Sequence, residues 1–339
     1  MSHYGKWAPP PPGSGPVSRP KAPGRVRIIA VPGVGMGGWT CFQGWLPKLP
    51  AEIEIVPLEL PGRLSHPAPG LKPKSMQELA GMALDGLGRA FLQDRNFVFL
   101  GHSFGAWLVY EMTQELQRRR EAADPSLKAD QVWPLPLKVY VSANRAPQLA
   151  STGYDPDKIT PRLSGLERGA FWEAFDRRYG KNPDLSTDYI KNMVQAQLVS
   201  DFRLLETYQP STLRPLRVPL TALCAKGDGR VLPRQLSAWK KVAGRSFTER
   251  WFENVEKPEH WATVHRYVLD CPDSLIRFLR QDLPLVGTIV CEDAGIEGPL
   301  PPEGALAVVY DVFHFFHAFI LKVLHFFARV LQLDSPKFD

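Results

Sequence analysis

Along the chain, short apolar runs alternate with longer mixed stretches: VRIIAVPG, IEIVPLELPG, NFVFLGHSFG, LKVYVSANRAP, VPLTALCAKGD and SFTERWFEN follow one another in that order. Short, largely apolar runs of this kind fit buried strands, and their spacing leaves room for a helix between each pair. The pattern predicts an α/β chain with a mostly parallel sheet and helices on both faces. One helix is expected over roughly 75–93 and another over AWLVYEMTQELQRRR, where Trp107, Leu108, Met112 and Leu116 share a face.

Two regions break the alternation. Across about 155–215, LERGAFWEAFDRRYG and YIKNMVQAQLVSDFRLLETY read as two or three consecutive helices set between strands, which predicts an inserted helical lid. Past Pro284 the strand pattern stops, and 284–304, with GIEGPLPPEG, reads as a linker. It leads into 305–333, where Asp311, His314, Lys322, His325, Arg329 and Gln332 fall on one helical face and Phe, Val, Ile and Leu on the other. A spanning helix needs about 20 apolar residues with few charges, and Asp311 and Lys322 interrupt this one, so an in-plane amphipathic helix is expected. Its apolar face can be covered by a membrane surface, by the body of the chain, or by a helix of another subunit.

Composition narrows the class. With 339 residues, 44% hydrophobic and 22% charged, the chain can bury one large core or two ordinary ones, which excludes collagen, coiled-coil and wholly disordered proteins. Residues 1–24 lack the apolar stretch of a secretory signal and are rich in Pro, Gly and Ser; a disordered tail is expected there, ahead of one domain over 25–283. Its basic residues, unmatched by acids, also fit an organelle-transit segment, which the prolines oppose. Cys41, Cys224, Cys271 and Cys291 are widely spread without a CxxC pair, so a reducing, cytoplasmic setting is expected and a structural zinc site is not. The net charge of +6 comes without a dense Lys/Arg run, which argues against nucleic acid and suits an acidic protein partner or an anionic membrane.

Candidate chemistry centres on Gly101-His102-Ser103-Phe104-Gly105, a G-x-S-x-G between an apolar strand and a strong helix. Such a turn forces the serine into a strained conformation, and small residues two before and two after let strand and helix approach. A serine hydroxyl needs a base, usually histidine, oriented by a carboxylate, and in the α/β-hydrolase fold the order is Ser, acid, His. Downstream of Ser103 and ahead of the C-terminal segment stand His260 and His265. His260 follows a Pro-containing loop and is the expected base; His265 is expected inside the final helix. The expected acid is Asp228, in the turn Lys226-Gly227-Asp228-Gly229; Asp201 and Glu206 are rivals that fall in the lid helices. Oxyanion donors are expected at the backbone of Phe104 and of Val34, the latter in the Gly-rich loop after the first strand. That loop also spells Gly33-x-Gly35-x-x-Gly38, a dinucleotide fingerprint in letters, but its acid some 20 residues on falls at Glu59, ahead of PGR.

Taken together, VPGVGMGGWTCFQGW, ELPGRLSHP, FLGHSFGAWLVYEM, VSANRAP, LVSDFRLLETYQP, LTALCAKGD and EHW resemble, in order and spacing, the type II thioesterases associated with polyketide, nonribosomal-peptide and fatty-acid synthases. The resemblance covers roughly 25–283 and departs at Glu259 and Trp261, where the family usually has Gly and Phe around the histidine. It implies hydrolysis of an acyl chain held as a thioester on the phosphopantetheine of an acyl carrier protein. By motif, Ser103 would be nucleophile, Asp228 acid, His260 base, and Val34 with Phe104 the oxyanion donors, with no metal or cofactor. Phe171, Trp172, Phe175 and Phe202 would line an acyl channel under the lid, or alternatively form the helices' own core stripe.

Overall fold

The computed structural model describes residues 4–12, 26–63, 66, 71–158, 162–253 and 264–293. The expected C-terminal helix over 305–333 lies outside them. Among the described residues, no helix is long and apolar enough to cross a membrane.

All six apolar runs form strands: β1 Val26–Val31, β2 Ile53–Pro57, β3 Phe97–His102, β4 Val139–Ser142, β5 Leu220–Ala225 and β6 Phe247–Phe252. They pair in parallel in the order β2-β1-β3-β4-β5-β6. β1, β3, β4 and β5 are buried along their whole length, which requires cover on both faces. β6, at the edge, alternates half-buried with exposed residues until Phe252. The register sets Val31 beside Gly101 and His102 beside Ser142, so the C-terminal ends of the central strands share one rim. From β1 the chain goes to one side and then crosses to β3 on the other, and the rim at that crossover is where open α/β sheets bind ligands.

The helices that matter for the site are α1 Met76–Leu87, α2 Phe104–Glu121, α3 Arg168–Tyr179, α4 Asp188–Glu206 and α5 Asp273–Asp293. Ser75 caps α1 by accepting from the Glu78 amide at 3.1 Å. The single helix expected over 75–93 is two: Gly88, at φ 78°, ends α1, and Arg89–Gln93 forms a separate turn. α3 and α4 make up the lid and carry an apolar cluster of their own, with Leu163, Phe171, Trp172, Ala174, Leu198 and Phe202 at its centre. α5 runs through Pro284 into the stretch expected as linker.

The expectation of an unpacked tail over 1–24 fails at Tyr4–Pro12. A helical turn, Tyr4–Trp7, places the Trp7 indole in the core at 6% exposure, edge-on to His66 at 4.8 Å. The indole lies so close over α1 that any Cβ at Gly86 would collide with it. Two hydrogen bonds to main-chain carbonyls hold the segment: the Glu59 amide donates to the Trp7 carbonyl at 2.7 Å, and Trp39 Nε1 donates to the Pro9 carbonyl at 2.9 Å. Trp7→Ala should therefore cost roughly 3 kcal/mol, the range for large-to-small changes at buried aromatics, and lower the melting temperature by several degrees. A thermal scan in which the variant melts with the wild type would show that the tail does not dock.

Candidate active site

Ser103 occupies the turn between β3 and α2, with φ 53° and ψ −116°, a left-handed conformation costly for a side-chain-bearing residue. Neighbours hold it there: the Ser103 amide donates to the Ser142 carbonyl at 2.7 Å, and Asn144 Nδ2 donates to the Ser103 carbonyl at 2.8 Å. A Cβ at Gly101 or Gly105 would strike backbone, at Gly105 or at Val31, so the strand and helix could not close around the turn with larger residues.

Facing the serine is His265. Its Nε2 lies 2.9 Å from Ser103 Oγ and its Nδ1 2.9 Å from Asp228 Oδ2. The line fits the tautomer in which Nδ1–H donates to the carboxylate and Nε2 accepts from the hydroxyl. Asp228 stands in the loop after β5, next to Gly227 at φ 88°, and its other oxygen accepts the Arg230 amide at 2.8 Å. Burial alone would raise the Asp228 pKa, but the facing His265 and the hydrogen bonds from His265 and Arg230 outweigh it, so the carboxyl stays below its ordinary range.

The base position expected for His260 is thus filled by His265; His260 itself lies outside the described residues. The reason is the start of the final helix. α5 begins at Asp273, and His265 sits in a separate turn, Val264–Arg266, where its ring is free to face the rim. The rival acids are engaged elsewhere, Asp201 with Arg63 at 2.6 Å and Glu206 with the Leu163 amide at 2.6 Å.

Two rings that sequence reasoning missed lie beside His265. His102, at 5.2 Å between ring centroids, is buried. Its Nδ1 is 3.0 Å from Ser142 Oγ, which is 2.6 Å from Tyr267 OH, so a buried chain ties the histidine turn to the ends of β3 and β4. Tyr179, at the end of α3, lies 5.9 Å from His265 from the lid side. The Arg230 guanidinium sits 5.3 Å above the Tyr179 ring and pairs with Asp155 at 2.7 Å. The signal for His102 was its place beside the nucleophile; nothing local marked Tyr179.

Phe104 is the first residue of α2, so its amide belongs to the set that an α-helix leaves without an intrahelical acceptor. Val34 is half-buried in the loop after β1 and packs against both the main core and the lid cluster. That loop passes close to the serine, since a Cβ at Gly33 would lie 3.5 Å from Ser103 Cβ. The dinucleotide reading of the loop has no support: Glu59, the acid it needs, is buried and accepts the Gly38 amide at 2.7 Å. Of the four residues expected to line an acyl channel, Phe171, Trp172 and Phe202 are buried in the lid's own cluster. Phe175 is half-buried and leads from that cluster to Tyr179, 5.1 Å away.

A parallel α/β sheet with a strained serine at a strand-to-helix turn and a hydrogen-bonded histidine and aspartate beside it defines an α/β-hydrolase. The thioesterase domain family matches residues 27–282, and the chain belongs to that family: it is a hydrolase acting on thioesters. It is similar to gramicidin S biosynthesis protein GrsT of Aneurinibacillus migulanus, 25% identical over 264 residues that cover 77% of this chain and 90% of that one. Thioesterase PikA5 of Streptomyces venezuelae is 27% identical over 227 residues, covering 66% of this chain and 72% of that one. Among solved structures, RedJ, a thioesterase from the prodiginine biosynthetic pathway of Streptomyces coelicolor, superposes with a TM-score of 0.62 at 26% identity, covering 80% of this chain and 96% of its own.

Burial and the neighbouring His265 push the His102 pKa down from an ordinary 6.5 to about 3. As the pH falls through that window the unfolded chain takes up a proton that the folded chain refuses, so stability is lost progressively between about 6.5 and 3. Melting temperature against pH should show this acid limb, and His102→Gln should flatten it; an unchanged slope in the variant would mean that His102 is not held neutral.

Proposed function

We propose that the chain hydrolyses an acyl group carried as a thioester on the phosphopantetheine arm of a carrier protein, through an acyl-enzyme on Ser103. The observation that carries this reading is the unbroken Ser103, His265, Asp228 line, 2.9 Å at each link. Ser103 Oγ attacks the thioester carbonyl as its proton passes to His265 Nε2, and the Asp228 carboxylate holds the tautomer and stabilises the imidazolium. The Phe104 and Val34 amides receive the oxyanion. As the C–S bond breaks, the imidazolium returns its proton to the departing thiolate. Water, deprotonated by the now neutral His265, then attacks the acyl ester; a second tetrahedral state collapses to a free acid and the serine hydroxyl.

A carrier-bound substrate is supported by similarity to proteins named for gramicidin S and prodiginine biosynthesis, and a net charge of +6 suits an acidic partner. Phe175 and Tyr179, reaching from the lid cluster to His265, are the side chains best placed to meet the acyl chain near the reacting carbon.

With a set of acyl thioesters on a carrier protein, the wild type should release free acid, faster than it cleaves oxygen esters of the same acyl groups. Ser103→Ala should lower kcat roughly 10⁴- to 10⁶-fold with the thermal transition retained, because the three side chains act as a unit. A variant keeping more than about a tenth of the activity would remove Ser103 from the nucleophile's role.

A further inference from the structure

Two motifs that the reaction leaves unused, PGR ending at Arg63 and SDFR in α4, meet beneath the lid. Arg63 Nη2 lies 2.6 Å from Asp201 Oδ2 and Nη1 3.1 Å from Oδ1, a two-pronged pair with both residues at 4% exposure. The same Asp201 Oδ2 accepts the Gly35 amide at 2.7 Å, and Gln197, one turn earlier on α4, donates from Nε2 to the Gly35 carbonyl at 2.7 Å. Arg63 Nε reaches the Met36 carbonyl at 3.3 Å. The lid helix thus grips the loop after β1 on both sides of one residue. Gly35 itself is at φ 73°, and a Cβ there would collide with Leu198 of α4.

A buried ion pair is a poor way to gain stability, since desolvating two charges offsets most of their attraction and an apolar pair of similar volume often does as well. What the pair supplies is geometry. The Gly35 amide belongs to the peptide unit that follows Val34, joined to the Val34 amide only through the φ and ψ of Val34, so holding the direction of that unit restricts where the Val34 amide can point. We propose that Asp201, held by Arg63, is a positioning residue: from the lid helix it orients the Gly35 peptide and thereby the Val34 amide that receives the oxyanion. The inference rests on the reading of Ser103 as nucleophile and Val34 as donor. Its consequence is that the oxyanion hole is complete only while α4 is seated on the loop, so displacement of the lid would switch off the chemistry as well as open the site.

The test uses the full-length chain and its Asp201→Ala, Asp201→Asn and Gln197→Ala variants, with a soluble acyl N-acetylcysteamine thioester as substrate. The second readout is inhibition by an acyl trifluoromethyl ketone, which adds the serine to form a tetrahedral oxyanion. Loss of one oxyanion donor costs about 10²–10³ in kcat, so Asp201→Ala should lower kcat about 100-fold, with ketone affinity weakened in step. KM should stay within about threefold, because the lost interaction is one made in the transition state. Asp201→Asn, whose amide oxygen can still accept the Gly35 N–H, should recover part of the loss, and Gln197→Ala should show a smaller loss in the same sense. If Asp201→Ala does not fold, Asp201→Asn and Gln197→Ala decide the matter by the same readouts. A rise in KM with kcat and ketone affinity unchanged, or no change at all, overturns the proposal. Failure of the nucleophile reading looks different: Ser103→Ala would then still turn over, whereas failure of the positioning role alone leaves Ser103→Ala inactive and the lid variants like wild type.

Discussion

The imidazole of His265 has to meet two oxygens at once, Ser103 Oγ on one side and Asp228 Oδ2 on the other, each at 2.9 Å. These three side chains come from the turn after β3, the loop after β5 and a turn beyond β6, so no local sequence can set their distances. The sheet does. Parallel pairing from β3 through β4, β5 and β6 puts every one of these segments on the same rim, and full burial of β3, β4 and β5 leaves the rim little freedom to shift. Beneath the rim, the Tyr267, Ser142, His102 chain ties the histidine turn to β3 and β4, with a ring that burial keeps neutral. The strain held in the Ser103 backbone is sustained by the same frame.

Above the rim the constraint is different. α3 and α4 keep their own apolar cluster, so the lid is a second packed layer resting on the sheet's loops. It meets the site at two places: Tyr179 beside His265, and the Arg63, Asp201, Gly35 contacts on the first loop. In both a charge is paired, half-buried Arg230 with Asp155 and buried Arg63 with Asp201. Breaking the buried Arg63–Asp201 pair strands a charge and costs several kcal/mol, which fixes the lid's seat more sharply than apolar packing would.

Legibility followed the range of the interactions. The six strands were readable because each is a short, largely apolar run, alternating with polar residues in the edge strand β6, and Ser103 and Asp228 because the turns that carry them announce themselves within a few residues. His265 was not, since choosing between it and His260 depended on where α5 begins, and it begins only at Asp273, beyond the separate turn that carries His265. Trp7 looked like a stray aromatic in a Pro-rich tail because its partners, Gly86 and His66, are distant in sequence. PGR and SDFR could each be seen as motifs, but their pairing spans 138 residues and neither motif shows that the other is its partner. Phe171, Trp172 and Phe202 fit a channel or a core stripe equally well by spacing, and they lie buried in the lid's own cluster.

The central claim is that His265 is the base that activates Ser103. The direct measurement is kcat for a soluble acyl thioester in His265→Ala and His260→Ala side by side, each checked for an unchanged thermal transition. His265→Ala should lose roughly 10⁴-fold or more, and His260→Ala should keep activity within about threefold of wild type. A crippled His260→Ala beside an active His265→Ala would contradict the claim.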